Sequence, residues 1–318
     1  KIITRGDTLG GINLTLKITS LQKGVIRVQT WHHMGLLQKS PEFELELTEN
    51  LPLDVEDSET EMKITSGSLS LTIGKTKWFM EYRRDGKLIT KSIGRDLALL
   101  KTDFKGIAYD KGDSTNTYIR QQLNVGVGEY IYGMGERFTS FIKNGQTVDI
   151  WNADGGTSTE QYYKNIPFYL SNQGYGVFVN HPEQVSFEIA SEMVTKAGFS
   201  VEGSHLDYFL IDGPTMKDVL VKYTDLTGKP SLPAPWTFGL WLSTSFTTNY
   251  DEKTVMSFID DMLDRGIPLR TFHFDCFWMK EFHWSNFLWD ERVFPDPQGM
   301  LKRIKEKGLN ICVWLNSY

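Results

Sequence analysis

An acidic residue at the end of an apolar stretch is the first feature of this sequence that could do chemistry. Residues 269–275 read as a β-strand that ends in Asp275, and aromatic side chains follow at Phe277, Trp278 and Trp284. A carboxylate accepts hydrogen bonds from sugar hydroxyls, and flat rings cover the apolar face of a sugar. The combination favours a sugar-binding site, although aromatic runs after strands commonly fill cores and a lone aspartate commonly begins a turn.

The composition narrows the classes of protein to which the chain could belong. Its 318 residues include 34 Lys and Arg against 40 Asp and Glu, a net charge of −6. That balance argues against nucleic acid or an anionic membrane as the main partner. Aromatic residues make up 13% of the chain, a share that fits sugar stacking as well as a large core. No apolar run approaches the ~20 residues of a membrane-spanning helix.

The few cysteine and histidine residues predict no metal site, and we expect no cofactor. Cys276 and Cys312 fit neither a disulfide framework nor a metal-binding spacing, which favours a reducing, cytoplasmic location. The adjacent His32 and His33 would point to opposite faces of a strand and could not easily share an ion. The glycines within 126–135 lie between strands without a following helix, so a dinucleotide-binding loop is a weak interpretation.

Residues 1–213 are predicted to form a β-sandwich. Short stretches of alternating apolar and polar residues follow one another, and helical periodicity is almost absent. Asp85 and Gly86 lie between two such stretches and predict a tight hairpin turn, because Asp-Gly tolerates positive φ. The predicted strands include 24–31, 43–47, 68–73, 78–82, 87–89, 129–132, 175–179, 185–189 and 206–211.

Residues 214–318 are predicted to alternate between strand and helix. A helix begins near Pro214 and covers 216–226, and a proline-rich connector follows at 229–236. Strands are then predicted at 238–242, 269–275 and 310–315, with helices at 251–264 and 297–307. This order is typical of the βα units of a parallel sheet. Three strands are too few to close an eight-stranded barrel, and their open edges would favour association into a homo-oligomer.

The carboxyl ends of these three strands carry candidate binding residues. Active sites of parallel barrels lie at this end of the strands. The three ends carry Phe246, then Asp275 with its aromatic neighbours, then Trp314. We therefore expect these side chains to converge if the barrel closes.

Two polar stretches of the first domain are further candidates. Glu136 and Arg137 lie in a glycine-rich bend, where they could belong to a site or form a structural ion pair. Trp151, Asn152 and Asp154 precede two glycines at the tip of a predicted loop. Such tips often bind ligands, but many are simply solvated turns.

Seven motifs, in order along the chain, resemble glycoside hydrolase family 31, and among its members the bacterial α-xylosidases. They are GMGERF at 133–138, WNADGG at 151–156, NIPFY at 165–169, GYGVFVNH at 174–181, FGLWL at 238–242, FHFDCFW at 272–278 and FPDP at 294–297. The likeness runs from about residue 126 to 318, while residues 1–125 match only as a divergent N-terminal sandwich.

The resemblance implies a fold and an activity. The fold is a galactose-mutarotase-like β-sandwich followed by the first three strands of a (β/α)8 TIM barrel, with the boundary at 213/214. The activity is retaining hydrolysis of terminal α-xylosides, with α-glucosidase or transglycosidase as the alternative within the family. From another class, a non-catalytic carbohydrate-binding or scaffold fragment is the rival hypothesis.

The resemblance also assigns roles to residues of the predicted site. Asp275 matches the acid that binds sugar hydroxyls in the −1 subsite, and Asp154 matches the acid of the sandwich loop that reaches this pocket. Phe277 would crowd the C5 side of the sugar and so favour xylose over glucose. The remaining pocket positions are Phe246, Cys276 and Trp314, with Trp284 as a weaker candidate.

The family's two catalytic aspartates match no residue of this chain, because both positions lie beyond Tyr318. Retention of configuration needs two carboxyl groups about 5 Å apart. The resemblance therefore implies that this chain alone is inactive. Its expected partners are an α-xyloside or related oligosaccharide and the C-terminal part of the same polypeptide.

Overall fold

The computed structural model describes residues 12–32, 42–103, 115–152 and 164–316. They belong to two compact units, Lys1–Lys229 and Pro230–Tyr318. The strands of the first unit are β1 (Thr15–Thr19), β2 (Val25–Trp31), β3 (Asp54–Asp57), β4 (Glu61–Ser66), β5 (Leu69–Gly74), β6 (Phe79–Arg84), β7 (Lys87–Ile93), β8 (Leu97–Asp103), β9 (Thr115–Asn124), β10 (Ile131–Gly133), β11 (Gln146–Ile150), β12 (Phe168–Ser171), β13 (Tyr175–Val179), β14 (Val185–Ile189), β15 (Lys196–Glu202) and β16 (His205–Asp212).

These strands form three antiparallel sheets. One has the order β1-β2-β16-β13-β12-β10, another β11-β14-β15-β9-β8, and the third β3-β4-β5-β6-β7. Alternation along β2 places Ile26 and Val28 in a core cluster, to which Leu71 of the third sheet and Phe187 of the second also belong. One apolar core thus joins the three sheets, because each presents the apolar face of its pleat to it.

The predicted hairpin turn is present between β6 and β7. Asp85 and Gly86 have φ values of 46° and 80°, both in the left-handed region. A two-residue turn with this geometry matches the twist of the strands that it connects.

The prediction of a strand at 43–47 is wrong. This segment pairs with none of the strands in the described part of the chain; instead the amide of Glu46 donates to the carbonyl of Leu226 at 2.9 Å. Leu45 and Leu47 pack against the apolar cluster on the outer face of the first sheet. Residues 43–47 therefore alternate between apolar and polar because one side of this extended segment is buried against the end of the helix that contains Leu226. A strand with one buried face has the same sequence pattern.

The helix α1 (Met216–Thr227) packs on the first unit. Its capping box is complete: the Thr215 hydroxyl accepts from the Asp218 amide at 3.3 Å, and the Asp218 carboxylate accepts from the Thr215 amide at 2.9 Å. Val219 and Leu226 are buried in the cluster formed with Phe168, Phe178 and Phe209. The structure thus divides at 229/230, beyond the predicted boundary at 213/214, because this helix covers a sheet face of the sandwich.

The second unit contains three parallel strands and two helices. They follow in the order β17 (Leu240–Ser243), α2 (Glu252–Asp264), β18 (Leu269–Phe274), α3 (Pro297–Glu306) and β19 (Asn310–Val313). The sheet order is β17-β18-β19. Residues 235–238 form a 3-10 turn, so the first strand begins two residues later than predicted. The other elements lie within two residues of the predicted bounds.

Both helices of the second unit begin at an aspartate cap. Asp251 accepts from the Thr254 amide at 2.8 Å, and Asp296 accepts from the Gly299 amide at 3.0 Å, immediately before Pro297. Apolar side chains of both helices pack against the central strand. They are Val255, Ile259, Met300 and Ile304, against Phe272 and Phe274. No helix within the described ranges is long and apolar enough to cross a membrane.

Replacing Leu226 by Ala tests whether α1 is part of the sandwich. Leu226 is 1% exposed and Leu220, on the same helix, is 42% exposed. We expect Leu226→Ala to lower the free energy of unfolding by about 2–5 kcal/mol, since it leaves a cavity in a packed cluster. The control Leu220→Ala should change it by less than about 0.5 kcal/mol. Equal effects in urea unfolding would contradict the assignment of the helix to this unit.

Candidate functional site

The carboxyl ends of three neighbouring strands form the candidate site of the second unit. β18 lies between β17 and β19, and both neighbours run parallel to it. The amide of Thr244 donates to the His273 carbonyl at 3.1 Å, and the amide of Trp314 donates to the Phe274 carbonyl at 2.7 Å. These bonds extend the pairing past the last strand residues. The three segments that follow therefore leave the sheet side by side.

Asp275 is the first residue after β18, and both of its backbone polar groups are held. Its amide donates to the Thr244 hydroxyl at 2.8 Å, and its carbonyl accepts from the Tyr250 hydroxyl at 2.9 Å. Carboxylate oxygen Oδ1 accepts from the Cys276 amide at 2.8 Å and caps a 3-10 turn over Cys276–Trp278. The residue is half-buried, so its carboxylate can also accept hydrogen bonds from a ligand's hydroxyls.

The thiol of Cys276 is held in its neutral form. Burial, and next the negative charge of Asp275, raise the pKa of Cys276 to about 11. A thiol with this pKa is protonated at neutral pH and is a poor nucleophile or metal ligand. Its place beside the acid therefore fits a pocket wall and not a reactive centre.

Three of the predicted aromatic residues form a connected wall. The rings of Phe277 and Trp284 meet edge to face with centroids 5.9 Å apart, and those of Trp284 and Trp314 do so at 6.3 Å. The Trp278 indole donates to the Trp314 carbonyl at 2.6 Å and ties the turn to the end of β19. Trp284, the weakest candidate from the sequence, thus links the two other rings. Edge-to-face pairs of this kind stabilise by about 0.5–1.5 kcal/mol beyond their burial.

Phe246 differs from the other predicted residues in its exposure. It lies on the loop between β17 and α2, is 94% exposed, and has a φ of 65°. A non-glycine residue in this left-handed region costs on the order of 1–3 kcal/mol. The structure therefore brings the loop of Phe246 beside Asp275 but does not bury the ring in the aromatic wall.

Asp154 lies outside the described residues, and the segments on either side of it belong to the first unit. Arg137 donates to the Asp149 carbonyl at 2.5 Å and also to the side-chain oxygen of Asn165. Asn165 in turn donates to the Trp151 carbonyl at 3.0 Å. Arg137 is therefore a structural tie between residues 149–151 and 165, whereas Glu136 forms an exposed ion pair with Lys164.

A cleft of about 300 Å³ lies beside Phe277 and Tyr250 in the second unit. At its edge Arg292 forms ion pairs with Asp290 at 2.6 Å and with Glu281 at 2.5 Å. Hydrogen bonds from Arg292 lower the pKa of both carboxyl groups. These two acids therefore stay ionised and engaged with the arginine, which disfavours a role as proton donors.

Thr244 and Tyr250 are site residues that the motifs did not single out. Both are buried, at 1% and 5% exposure. The sequence signals for them are weak. Thr244 places a hydroxyl shortly after the predicted strand at 238–242, and Tyr250 places another directly before the predicted helix at 251–264. Over the described ranges no group of three His, Cys, Asp or Glu side chains could hold a metal ion.

Comparison with known proteins agrees with this geometry. The profile of the glycosyl hydrolase 31 N-terminal galactose mutarotase-like domain matches residues 15–188. That match covers more than half of the chain. The chain belongs to glycoside hydrolase family 31. The profile of the family 31 TIM-barrel domain matches residues 230–318, so the predicted order of sandwich and barrel start is confirmed.

Curated relatives of this family 31 chain include two α-xylosidases. α-Xylosidase XylQ of Lactiplantibacillus pentosus is 47% identical over 320 residues, which cover 100% of this chain and 40% of that relative. An α-xylosidase of Emericella nidulans is 46% identical, over 99% of this chain and 42% of the relative. The chain thus spans about two fifths of the length of these proteins.

Solved structures show the same fold at lower identity. A family 31 α-xylosidase from a soil metagenome, complexed with xylose, has a TM-score of 0.75 at 17% identity and covers 95% of this chain and 44% of its own. A cycloalternan-forming enzyme from Listeria monocytogenes in complex with a pentasaccharide substrate has a TM-score of 0.78 at 23% identity, with 96% and 30% covered.

The reactivity of Cys276 tests the electrostatics of the site. The carboxylate of Asp275 disfavours the thiolate, so Asp275→Asn should lower the thiol pKa and raise the thiolate fraction at any pH below it. Each unit by which the pKa falls multiplies that fraction by about ten. We expect faster alkylation by iodoacetamide at pH 8, followed by mass spectrometry of the Cys276 peptide.

Two references control this measurement. Cys312, also a free thiol, should react at the same rate in parent and variant. The exposed acid Asp261 provides the matched substitution Asp261→Asn, which should leave Cys276 unchanged. Unchanged Cys276 reactivity in Asp275→Asn would show that the carboxylate does not act on the thiol.

Proposed function

We propose that this chain forms the sugar-binding part of a retaining α-xylosidase. The observation that carries the proposal is the half-buried Asp275 at the end of β18, with Cys276 and Phe277 directly after it and the rings of Trp284 and Trp314 alongside. An acceptor for hydroxyls and a wall of rings are the two elements that recognise a sugar. The name carried by the relatives at 46–47% identity supports xylose as that sugar.

In this proposal, Asp275 binds and orients the sugar and does not itself react. A retaining enzyme needs a carboxylate nucleophile and a carboxylic acid about 5 Å apart on opposite sides of the scissile bond. Asp290 and Glu281, the acids beside the nearby cleft, are paired with Arg292. We infer that the reacting pair lies in the part of the fold that residues 1–318 do not cover. Acid-assisted departure of the aglycone would give a xylosyl-enzyme, which water then hydrolyses.

Shape at one position would separate xylose from glucose. Glucose differs from xylose by the hydroxymethyl group on C5, and Phe277 is held in place by its contact with Trp284. A rigid ring at that side of the sugar leaves little room for the extra group. Exclusion of one small group contributes only about 1–3 kcal/mol, so α-glucosidase activity remains the second candidate, supported by a 26% identical α-glucosidase among the relatives.

We further propose that Asp154, which lies outside the described residues, binds substrate in the whole protein. The support is its motif, WNADGG, together with the hydrogen bonds by which Arg137 and Asn165 connect the flanking segments.

The two free cysteines fit a reducing compartment, and we propose a cytoplasmic location on that basis.

Replacing Phe277 by Ala tests the specificity. In the full-length protein we expect p-nitrophenyl α-xyloside to be hydrolysed with higher kcat/KM than the α-glucoside. Phe277→Ala should lower the ratio of the two kcat/KM values by roughly tenfold or more, because the hydroxymethyl group then finds room. The matched control is Phe258→Ala on α2, where the ring is 36% exposed. If both variants keep the parental ratio, Phe277 does not discriminate between the sugars.

An assay of the 318-residue chain by itself tests whether it binds the sugar without supplying the reacting carboxyl groups. Its residues supply binding groups without the reacting pair, so it should release no nitrophenol from p-nitrophenyl α-xyloside above the buffer rate. The full-length protein, assayed at the same molar concentration, is the positive control. Turnover by the short chain would mean that its own acids react and that Asp275 has been given the wrong role.

A further inference from the structure

The loop between β17 and α2 holds the backbone of Asp275 at two points. Thr244, directly after β17, accepts from the Asp275 amide at 2.8 Å. Tyr250, next to the cap of α2, donates to the Asp275 carbonyl at 2.9 Å. One loop on the neighbouring strand therefore fixes both peptide groups that flank the Asp275 α-carbon. The orientation of the carboxylate depends on that α-carbon, because only two side-chain torsions separate them.

Both hydroxyls are held firmly enough to act as fixed points. Thr244 and Tyr250 are 1% and 5% exposed. The Tyr250 ring packs against Phe294, with centroids 5.8 Å apart. Burial raises the pKa of Tyr250 above its ordinary value, so its hydroxyl keeps the proton that it donates. Water does not easily replace either hydrogen bond at these positions.

The same loop carries Phe246 between the two contacts. Thr247 donates from its amide to the Thr244 carbonyl at 2.8 Å, which closes a turn around residues 245 and 246. Phe246 takes its left-handed φ of 65° inside this turn. Phe246 and Asp275 follow neighbouring strands of the sheet. They are linked through Thr244, which is hydrogen-bonded both to the turn that contains Phe246 and to the amide of Asp275.

We propose that Thr244 and Tyr250 are positioning residues for sugar binding, which set the Asp275 carboxylate and keep it in register with the loop of Phe246. This inference rests on the proposed function, in which Asp275 binds the hydroxyls of the sugar. Neither residue touches the sugar in this role. They act by holding Asp275 within the narrow range of positions that a productive hydrogen bond requires.

Two pairs of variants separate positioning from simple structural support. Thr244→Val removes the hydroxyl and keeps the shape, whereas Thr244→Ser keeps the hydroxyl. Tyr250→Phe removes one oxygen atom, and Tyr130→Phe makes the same change at a residue of the sandwich that is 46% exposed. Melting temperature and circular dichroism of each variant establish that the fold is retained.

In the full-length protein we expect kcat/KM to fall only in the variants that lack a hydroxyl group at Thr244 or Tyr250. Thr244→Val and Tyr250→Phe should each lower kcat/KM for p-nitrophenyl α-xyloside by about 3- to 30-fold, while Thr244→Ser and Tyr130→Phe stay within about twofold of the parent. Parental kcat/KM in both hydroxyl-deleted variants would overturn the proposal. So would an equal loss in Thr244→Ser and Thr244→Val, since the hydroxyl would then not be the cause.

A second readout does not depend on catalysis. The Asp275 carboxylate accepts from the Cys276 amide and acts on its thiol, so a displaced carboxylate should speed alkylation of Cys276 by iodoacetamide. We expect faster alkylation in Thr244→Val and Tyr250→Phe, and parental rates in Thr244→Ser and Tyr130→Phe. If the full-length protein hydrolyses no α-glycoside, the proposed function fails, and alkylation still decides whether these hydroxyls position Asp275. Parental alkylation rates in all four variants would overturn the inference.

Discussion

Parallel pairing of β17, β18 and β19 is the constraint on which the candidate site depends. Parallel strands in register must end at the same edge of their sheet, so residues far apart in sequence become neighbours there. In this chain the shared edge brings Thr244, Asp275 and Trp314 together, through backbone hydrogen bonds that extend one residue past β17 and β19. The spacing between the side chains after the three strands is therefore set by the spacing of the paired backbones. An acid, a thiol and several rings become one surface because of the sheet.

The polar groups of this surface divide into two kinds. The backbone of Asp275 is saturated by Thr244, Tyr250 and Trp278, whereas its carboxylate is half-buried and receives one amide hydrogen bond from its own turn. Arg292 and its two acids, by contrast, are engaged with one another. A carboxylate that is oriented by its backbone but not consumed by an ion pair is suited to bind neutral hydroxyls. This difference separates Asp275 from Asp290 and Glu281.

Much of the architecture could be predicted from the sequence, because its signals are local. Alternating strands, the Asp85-Gly86 turn and the helices α2 and α3 each depend on residues close together in sequence. The prediction for residues 43–47 was wrong because contacts distant in sequence determine the structure there. Residues 43–47 alternate like a strand, yet they lie along the end of α1 and pack against the cluster to which that helix contributes. The roles of Thr244 and Tyr250 could not be predicted, since a hydroxyl shows no sign in sequence of the backbone group that it will meet.

Because the thiol beside Asp275 is neutral, the candidate site should resist oxidation at Cys276. Peroxides attack the thiolate and scarcely attack the protonated thiol. With a pKa of about 11, Cys276 presents very little thiolate at neutral pH. Burial, and next the carboxylate that we propose as the sugar's hydrogen-bond acceptor, therefore protect Cys276 from conversion to a bulkier, charged sulfur acid. A cysteine can line this pocket without making the pocket a redox sensor.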